Sequence, residues 1–359
     1  MRKQPTSNDV ARRAGVSQTV VSFVMNNHPK VAPETRRRVQ EAAVALGYRP
    51  NLAARSLVRG RSQTIGVLVV DLNNPFFAAA TQHLEQAIRA AGYHFLLSTS
   101  TWDAWSEPGH LESAMDDLLL RGVDAIISWS LREPERPGAA DPLNALKSRK
   151  SGGTTPLFVL GYDERAAGCA YLDHAAGGRL AGRHLAACGR RRLGAVVNFE
   201  TSTRYEGFCQ GAAEMGVTEK PRVWRDPTDL DTRGSTAMGY RAGTVIAGLP
   251  SAQRPDGLFC HHDRVAQGVI AALLDHGVRV PEDIAVVGFD ALPDTEYLRP
   301  SLASVAYPVD ELCQTIVAQA VRFLSGETEP CDTQIAQIAP LGLRHGQSAP
   351  LIHASSDKE

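Results

Sequence analysis

From Thr64 onward the chain alternates short apolar runs with amphipathic stretches, and no other feature of the sequence restricts the fold as much. TIGVLVVD (64–71), YHFLLS (93–98), VDAIIS (123–128), PLFVLG (156–161), RLGAVVN (192–198), DGLFC (256–260) and DIAVVGFD (283–290) read as buried strands. Helical periodicity occupies 76–91, 176–188, 204–215, 232–248, 263–276 and 309–324. Apolar strands separated by helices form parallel, doubly wound sheets. The roughly 280 residues of this pattern exceed one such lobe, so two α/β lobes with a cleft are expected. Arg132 to Pro156, rich in Gly, Pro, Ser and charge, is expected as an exposed loop, and 346–359 as a frayed tail.

The head is built differently. Residues 1–62 hold 12 basic and 3 acidic side chains, against 26 and 36 in the remainder, so the head is strongly cationic and suits a polyanionic partner. Thr6 and Asp9 form a T-x-x-D capping signal for a short helix over 7–14 that Gly15 ends. Ser17 can cap a second helix, with Val20, Val21, Val24 and Met25 inward and Asn26-Asn27 as the stop. Two short helices joined by a glycine-bearing turn make a helix-turn-helix. Pro33 opens a third helix that Gly47 closes, and YRPNLAARSLVRGRSQ (48–63) follows as a hinge too short and polar to be a helix alone. Gln18, Thr19 and Ser22 lie off the packing face, where amide and hydroxyl groups reach base edges. Arg12, Arg13, Arg36, Arg37, Arg38, Arg49, Arg55 and Arg59 could contact phosphates, and Arg36–Arg38 could equally be a solvated helix face.

Several classes are disfavoured. The six cysteines lack metal or disulfide-framework spacing and fit reduced, mostly buried thiols in a cytoplasmic protein. The N-terminus has basic residues with no apolar run behind them, and no apolar stretch reaches the roughly 18 residues a membrane span needs, so export and insertion are not expected. No nucleophile elbow, P-loop or dinucleotide fingerprint is present, so neither catalysis nor a cofactor is expected. His261, His262 and Asp263 invite a metal reading, but adjacent residues at a strand end should diverge, and no metal is expected. A solute-binding protein of a transport system would explain residues 64–345 and leave the basic head unexplained.

DVARRAGVSQTVVSFVMNN, VAPETRRRVQEAAVALGYRPN, AARSL and GRSQTIGVLVVDLNNPFF, with VVGFD and the helix at 308–324, together resemble the lactose/galactose repressor (LacI/GalR) family. The resemblance implies an all-α helix-turn-helix head plus an α/β, periplasmic-binding-protein-like body of two doubly wound parallel-sheet lobes. It implies a DNA-binding domain over 1–47, a hinge over 48–62 and an effector-binding and dimerisation domain over 63–345. Within the latter, one lobe is expected from 63–162 with 292–322 and the other from 163–291 with 323–345. The partners expected are a second copy of the chain, a twofold-symmetric operator in double-stranded DNA, and a small-molecule effector, a sugar or related metabolite.

The resemblance also assigns roles. Leu57 is expected to wedge into the minor groove beside its dimer mate, unstacking a base step so that the bent duplex meets more protein surface. Thr6, Ser17, Asn26, Tyr48, Asn51, Ala54 and Arg55 complete the DNA-contacting set with Gln18, Thr19 and Ser22. The effector is expected among Asp71, Asn74, Phe76, Phe77, Arg204, His262, Asp263 and Asp290, several of which fall at strand ends, where open α/β sheets bind ligands. Four departures stand out. Phe23 occupies a place where many relatives carry a guanine-reading arginine, and His262 one where many have asparagine. Gly161 replaces an aspartate, with Asp163 nearby, and the loop between Val197 and Arg204 is short. A wedge contributes chiefly to the specific complex, so Leu57→Ala is expected to weaken operator binding far more than nonspecific binding. Equal losses in a competition gel shift would refute that role.

Overall fold

The computed structural model describes residues 5–25, 28–48, 61–69, 72–99, 110–129, 143, 146, 155–197, 202–225, 235–327 and 334–351. These fall into two compact units, Met1–Gln63 and Thr64–Glu359. In the first unit, α1 (Ser7–Ala14), α2 (Gln18–Met25) and α3 (Pro33–Leu46) share a small core of Val10, Val21, Val24, Val39, Ala42 and their neighbours. Thr6 Oγ1 accepts from the Asp9 amide at 3.3 Å while the Asp9 carboxylate accepts from the Thr6 amide at 2.9 Å, the reciprocal capping box the sequence announces. Gly15 ends α1 at φ 61°, a left-handed conformation that side chains disfavour, and this turn sets α2 against α1.

The second unit begins with β1 (Thr64–Val69), α4 (Pro75–Ala90), β2 (His94–Thr99), α5 (His110–Leu120), β3 (Ala125–Trp129), β4 (Leu157–Leu160) and β5 (Gly168–Leu172). It continues through α6 (His174–Ala187), β6 (Leu193–Val196), α7 (Thr203–Glu214), β7 (Arg222–Trp224), α8 (Thr236–Ala247), β8 (Gly257–Cys260), α9 (Asp263–Asp275), β9 (Ala285–Phe289) and β10 (Ala303–Ala306). The chain then forms α10 (Val309–Ser325), β11 (Gln334–Ile338) and β12 (Gly342–Arg344). Two six-stranded sheets result, ordered β11-β5-β4-β3-β1-β2 and β12-β10-β9-β8-β6-β7. All pairings are parallel except β12 against β10. In each sheet the order reverses beside the first strand, between β1 and β3 and between β6 and β8, which opens a crevice at the strand carboxyl ends.

Sheet membership moves the expected lobe boundaries. β5 belongs to the first sheet, so the first lobe runs past 162, and β10 with the segment from 292 belongs to the second. β11 returns to the first sheet although 323–345 was expected in the second lobe. The chain therefore crosses three times, near Asp173, Tyr307 and 339–341. Backbone bonds tie the crossings together: Asp173 N to Ile338 O at 2.8 Å and Leu341 N to Ala306 O at 2.8 Å. The Tyr307 hydroxyl donates to Asp173 O at 2.6 Å.

Two segments expected to be exposed contain buried residues. Leu143 and Leu146, inside the expected loop, are buried in the large core. The supposed tail closes the second lobe as far as Ala349, since Ser348 and Ala349 are fully buried. The Ser348 hydroxyl donates to Val286 O at 2.6 Å and accepts from Ala303 N at 2.9 Å, and Ala349 O accepts from His184 Nε2 at 2.7 Å. A serine and an alanine serving backbone groups leave no hydropathy signal, which is why the sequence suggested a tail.

Glycines let α6 and α7 touch backbone to backbone. A Cβ at Gly178 would fall on Arg204 O, and one at Gly207 on Ala175 O, neither of which a side-chain rotation could relieve. That approach seats the first turn of α6, with His174, beside the first turn of α7, with Arg204. Gly207→Ala should therefore destabilise the second unit by roughly 1–3 kcal/mol through overpacking, read as a lower denaturation midpoint in urea. An unchanged midpoint would contradict the packing.

Candidate functional sites

In the head, Gln18, Thr19, Ser22 and Phe23 are exposed on α2 while Val21 and Val24 hold it to the core. Gln18 Nε2 donates to Ser7 Oγ at 3.1 Å, which steadies the start of α2 against α1. Ser17 Oγ accepts from the Val20 amide at 3.4 Å, Thr6 caps α1, and Tyr48 is half-buried against the core. Phe23 stacks on His28 with ring centroids 4.7 Å apart and stays 41% exposed, so packing takes only one face of its ring. Three arginines proposed for phosphates have structural duties. Arg36 donates to His28 O at 2.8 Å, Arg38 donates to Ala14 O, and Arg37 is clasped by Glu34 and Glu41 at 2.6 and 2.8 Å. Asn26, Asn51, Ala54, Arg55 and Leu57 lie outside the described residues, as does Asp71 of the body.

The body concentrates polar groups at the crevice of the second sheet. Arg204, the second residue of α7, is only 8% exposed. Its Nη1 donates to His261 O at 2.7 Å and approaches His262 Nδ1 at 3.1 Å, while Nη2 approaches His174 Nε2 at 3.1 Å. Its Cζ lies 4.0 Å from the centre of the Phe289 ring. Asp290, just past β9, places Oδ1 3.9 Å from Arg204 Nη1 and Oδ2 3.2 Å from His262 Nδ1. An arginine can only donate, so its contact with His174 uses a bare Nε2, while His262 Nδ1, with one lone pair or one proton, either accepts from Arg204 or donates to Asp290. Burial raises the Asp290 pKa to about 7 against the pull of Arg204. His174, His261 and His262 are pushed well below 6.5, first by burial and then by Arg204 and by neighbouring basic groups.

Asp263 belongs to the framework of this site. It is fully buried, with Oδ1 accepting from Ser304 Oγ at 2.5 Å and Oδ2 accepting from Leu292 N at 2.6 Å. Both oxygens are thus engaged within the lobe, which corrects its expected contact with a ligand. Ser304 Oγ also accepts from Ala291 N at 3.0 Å, so the pair holds the turn in which Asp290 and Ala291 adopt φ 106° and 49°. Positive φ at two non-glycine residues is costly and persists where surrounding bonds impose it. Asp163 is likewise engaged, gripped by Arg165 Nε and Nη2 at 2.9 and 2.6 Å.

At the crevice of the first sheet, Asn74 Oδ1 caps α4 by accepting from Phe76 N at 3.1 Å. Phe76 and Phe77 meet the Trp129 ring edge-to-face at 5.6 and 5.1 Å. Trp129, His174 and Trp224 escaped the sequence reading, since only their places at the first turn of α6 or the ends of β3 and β7 mark them. Trp129 Nε1, Trp224 Nε1 and His261 Nδ1 are buried and unpartnered within the described structure. The rings of His261 and His262 lie 4.5 Å apart and do not diverge as expected. Among the described residues no group of three or more His, Cys, Asp and Glu side chains is arranged for a metal, and no helix is long and apolar enough to cross a membrane.

A helix-turn-helix head followed by a two-lobed α/β body with a buried polar crevice defines a DNA-binding regulator. Residues 6–51 match the model for bacterial regulatory proteins of the lacI family, and 183–348 match a periplasmic binding protein-like domain. The chain is 31% identical to the transcriptional repressor PurR of Pectobacterium carotovorum, over 93% of this chain and 94% of that protein. It is 28% identical to the regulator GalR of Escherichia coli over 98% of each. Its fold is similar to that of the Lac repressor dimer bound to operator and the anti-inducer ONPF, with a TM-score of 0.78, 22% identity and coverage of 97% of this chain and 99% of that one. The complex of the regulator CelR with cellobiose has a TM-score of 0.65 at 25% identity, covering 96% and 99%. The chain belongs to the LacI family of transcriptional regulators.

The raised Asp290 pKa has a consequence for stability. The unfolded chain releases this proton near 3.8 and the fold keeps it to about 7, so stability falls as pH rises between those values. Asp290→Asn should stabilise the ligand-free protein at pH 8, by at most about 4 kcal/mol, and less at pH 5, where the native carboxyl is already protonated. The histidines act in the opposite sense in both proteins, so the difference between their thermal midpoints isolates Asp290. Equal gains at both pH values would refute the assignment.

Proposed function

We propose that this regulator is a cytoplasmic homodimeric repressor whose hold on a twofold-symmetric operator is set by a small carbohydrate-like effector bound between the lobes of its body. The observation that carries this reading is the buried Arg204–His262–Asp290 cluster at the crevice of the second sheet, in one chain with a helix-turn-helix. Gln18, Thr19, Ser22 and the open face of Phe23 would read bases, the last by contact with a thymine methyl. Leu57 would supply the minor-groove wedge. Phe76, Phe77 and Trp129 would cover the apolar face of a ring, while Arg204, His262 and Asp290 would bond its polar groups. Operator and ligand complexes among the structural neighbours support the scheme.

Control follows if the effector prefers one arrangement of the lobes, since a ligand that binds both equally shifts nothing. The three tied crossings at Asp173, Tyr307 and 339–341 are the places where lobes could pivot, and His174 and Tyr307 put the polar cluster directly beside them. A gel shift with DNA from upstream of the chain's own gene tests the reading. Binding should be sequence-selective and weaken by roughly 10³-fold or more between about 50 and 200 mM salt if six or more phosphates are touched. Absence of selective, salt-sensitive binding would overturn it.

A further inference from the structure

Among the described residues, Arg204 is a buried cation whose ion-pair partner, Asp290, stands 3.9 Å away. Its three nearest hydrogen-bonding partners are a carbonyl and two imidazole nitrogens. Three helix N-termini add to its positive potential. His174 is the first residue of α6, Arg204 the second of α7 and His262 the N-cap of α9, and these helices run 14, 12 and 13 residues. A side-chain cap is provided only at α6, where Asp173 accepts from Ala176 N at 2.9 Å. His261 Nδ1, buried against the His262 ring, is unpartnered within the described structure. Buried charge is stable when paired, so this arrangement fits a ligand that brings a closer anion.

We propose that the effector is an acid: a small polyhydroxylated carboxylate whose anionic group binds against Arg204 among the first turns of α6, α7 and α9. This deepens the repressor reading and rests on it. One guanidinium matches the single charge of a carboxylate better than the double charge of a phosphate monoester, because two acids, Asp290 and Asp263, line the same turn. Hydroxyls elsewhere on the ligand would meet His262, and its apolar face would rest on Phe76, Phe77 and Trp129.

An arriving carboxylate also faces the Asp290 carboxyl, and the two share the space most readily when Asp290 keeps its proton. The groups around Asp290 are Arg204 on α7, His262 and Asp263 at the start of α9, and Tyr307 after β10. His174, His261 and Arg344 act one step further out, through Arg204 and Asp263. A bound anion raises the proton affinity of both Asp290 and His262, so proton uptake accompanies binding whichever group receives it.

Calorimetry and thermal shift on the full-length protein test this with matched probes: D-gluconate and D-galacturonate, D-glucose and D-galactose, and glucose 6-phosphate. We expect an acid to bind at least about tenfold more tightly than its neutral counterpart. Titration in two buffers of different ionisation enthalpy should show proton uptake near pH 7.5, with affinity falling by up to about tenfold per pH unit above that. Asp290→Asn should reduce the number of protons taken up per acid bound. Neutral sugars binding as tightly as the acids would overturn the anionic assignment while leaving the repressor reading intact, and tighter binding of the phosphate ester would overturn the choice of carboxylate. If no probe binds while selective DNA binding persists, the carbohydrate-like effector falls with it. Loss of selective DNA binding would instead remove the repressor reading beneath both. Should the variant fail to fold, the ligand pairs and the two-buffer titration decide the matter on the native chain.

Discussion

Burial of the Arg204 guanidinium is the constraint around which the second lobe is organised. A cation held away from water needs acceptors on several sides, and they come from the starts of α6 and α9 and the end of β8. Bringing those starts together requires α6 and α7 to meet at backbone distance, and glycines at the contact make that possible. The aromatic ring of Phe289 closes another side, so hydrophobic packing and charge stabilisation meet in the same few side chains. Burial and Arg204 together favour the neutral form of each histidine beside the guanidinium.

Behind the polar cluster lies a quieter framework. Asp263 touches Ser304 and Leu292, and through them imposes the unusual backbone at Asp290 and Ala291. Arg344, on the antiparallel edge strand, donates to Ala291 O and Leu292 O at 3.0 Å each and braces the same turn from outside. A turn fixed this firmly presents the Asp290 carboxyl in one orientation, which a binding site needs and an unsupported loop could not give. The crossing segments stand next to this turn through Tyr307.

The head divides its positive charge between two tasks. Arg36 and Arg38 hold carbonyls of the turns on either side of α2, and Arg37 is held between two glutamates, so α3 uses its arginines to shape the domain. Arg12 is 80% exposed in its side chain, 3.6 Å from Asp9, and remains available to a phosphate. Net charge alone could not separate these duties, because bond partners assign them and composition does not.

Local rules carried much of the sequence reading. The capping box at Thr6 and Asp9, the glycine stops at Gly15 and Gly47, and the seven apolar runs depend on neighbours in sequence, and each appears where the residues placed it. The helix-turn-helix and the two-lobed α/β class were legible for the same reason. The strands β5, β7, β10 and β12 and the edge strand β11 were not, nor was the burial of Ser348 and Ala349, since pairing partners from distant segments create them. The sequence could nominate Arg204, His262 and Asp290 through resemblance and strand-end position. Only the tertiary structure decided that Asp263 faces inward, that His174 joins the cluster, and that Asp290 stands 3.9 Å from Arg204. Those outcomes depend on distances across tens of residues of chain, set by packing that no local pattern encodes.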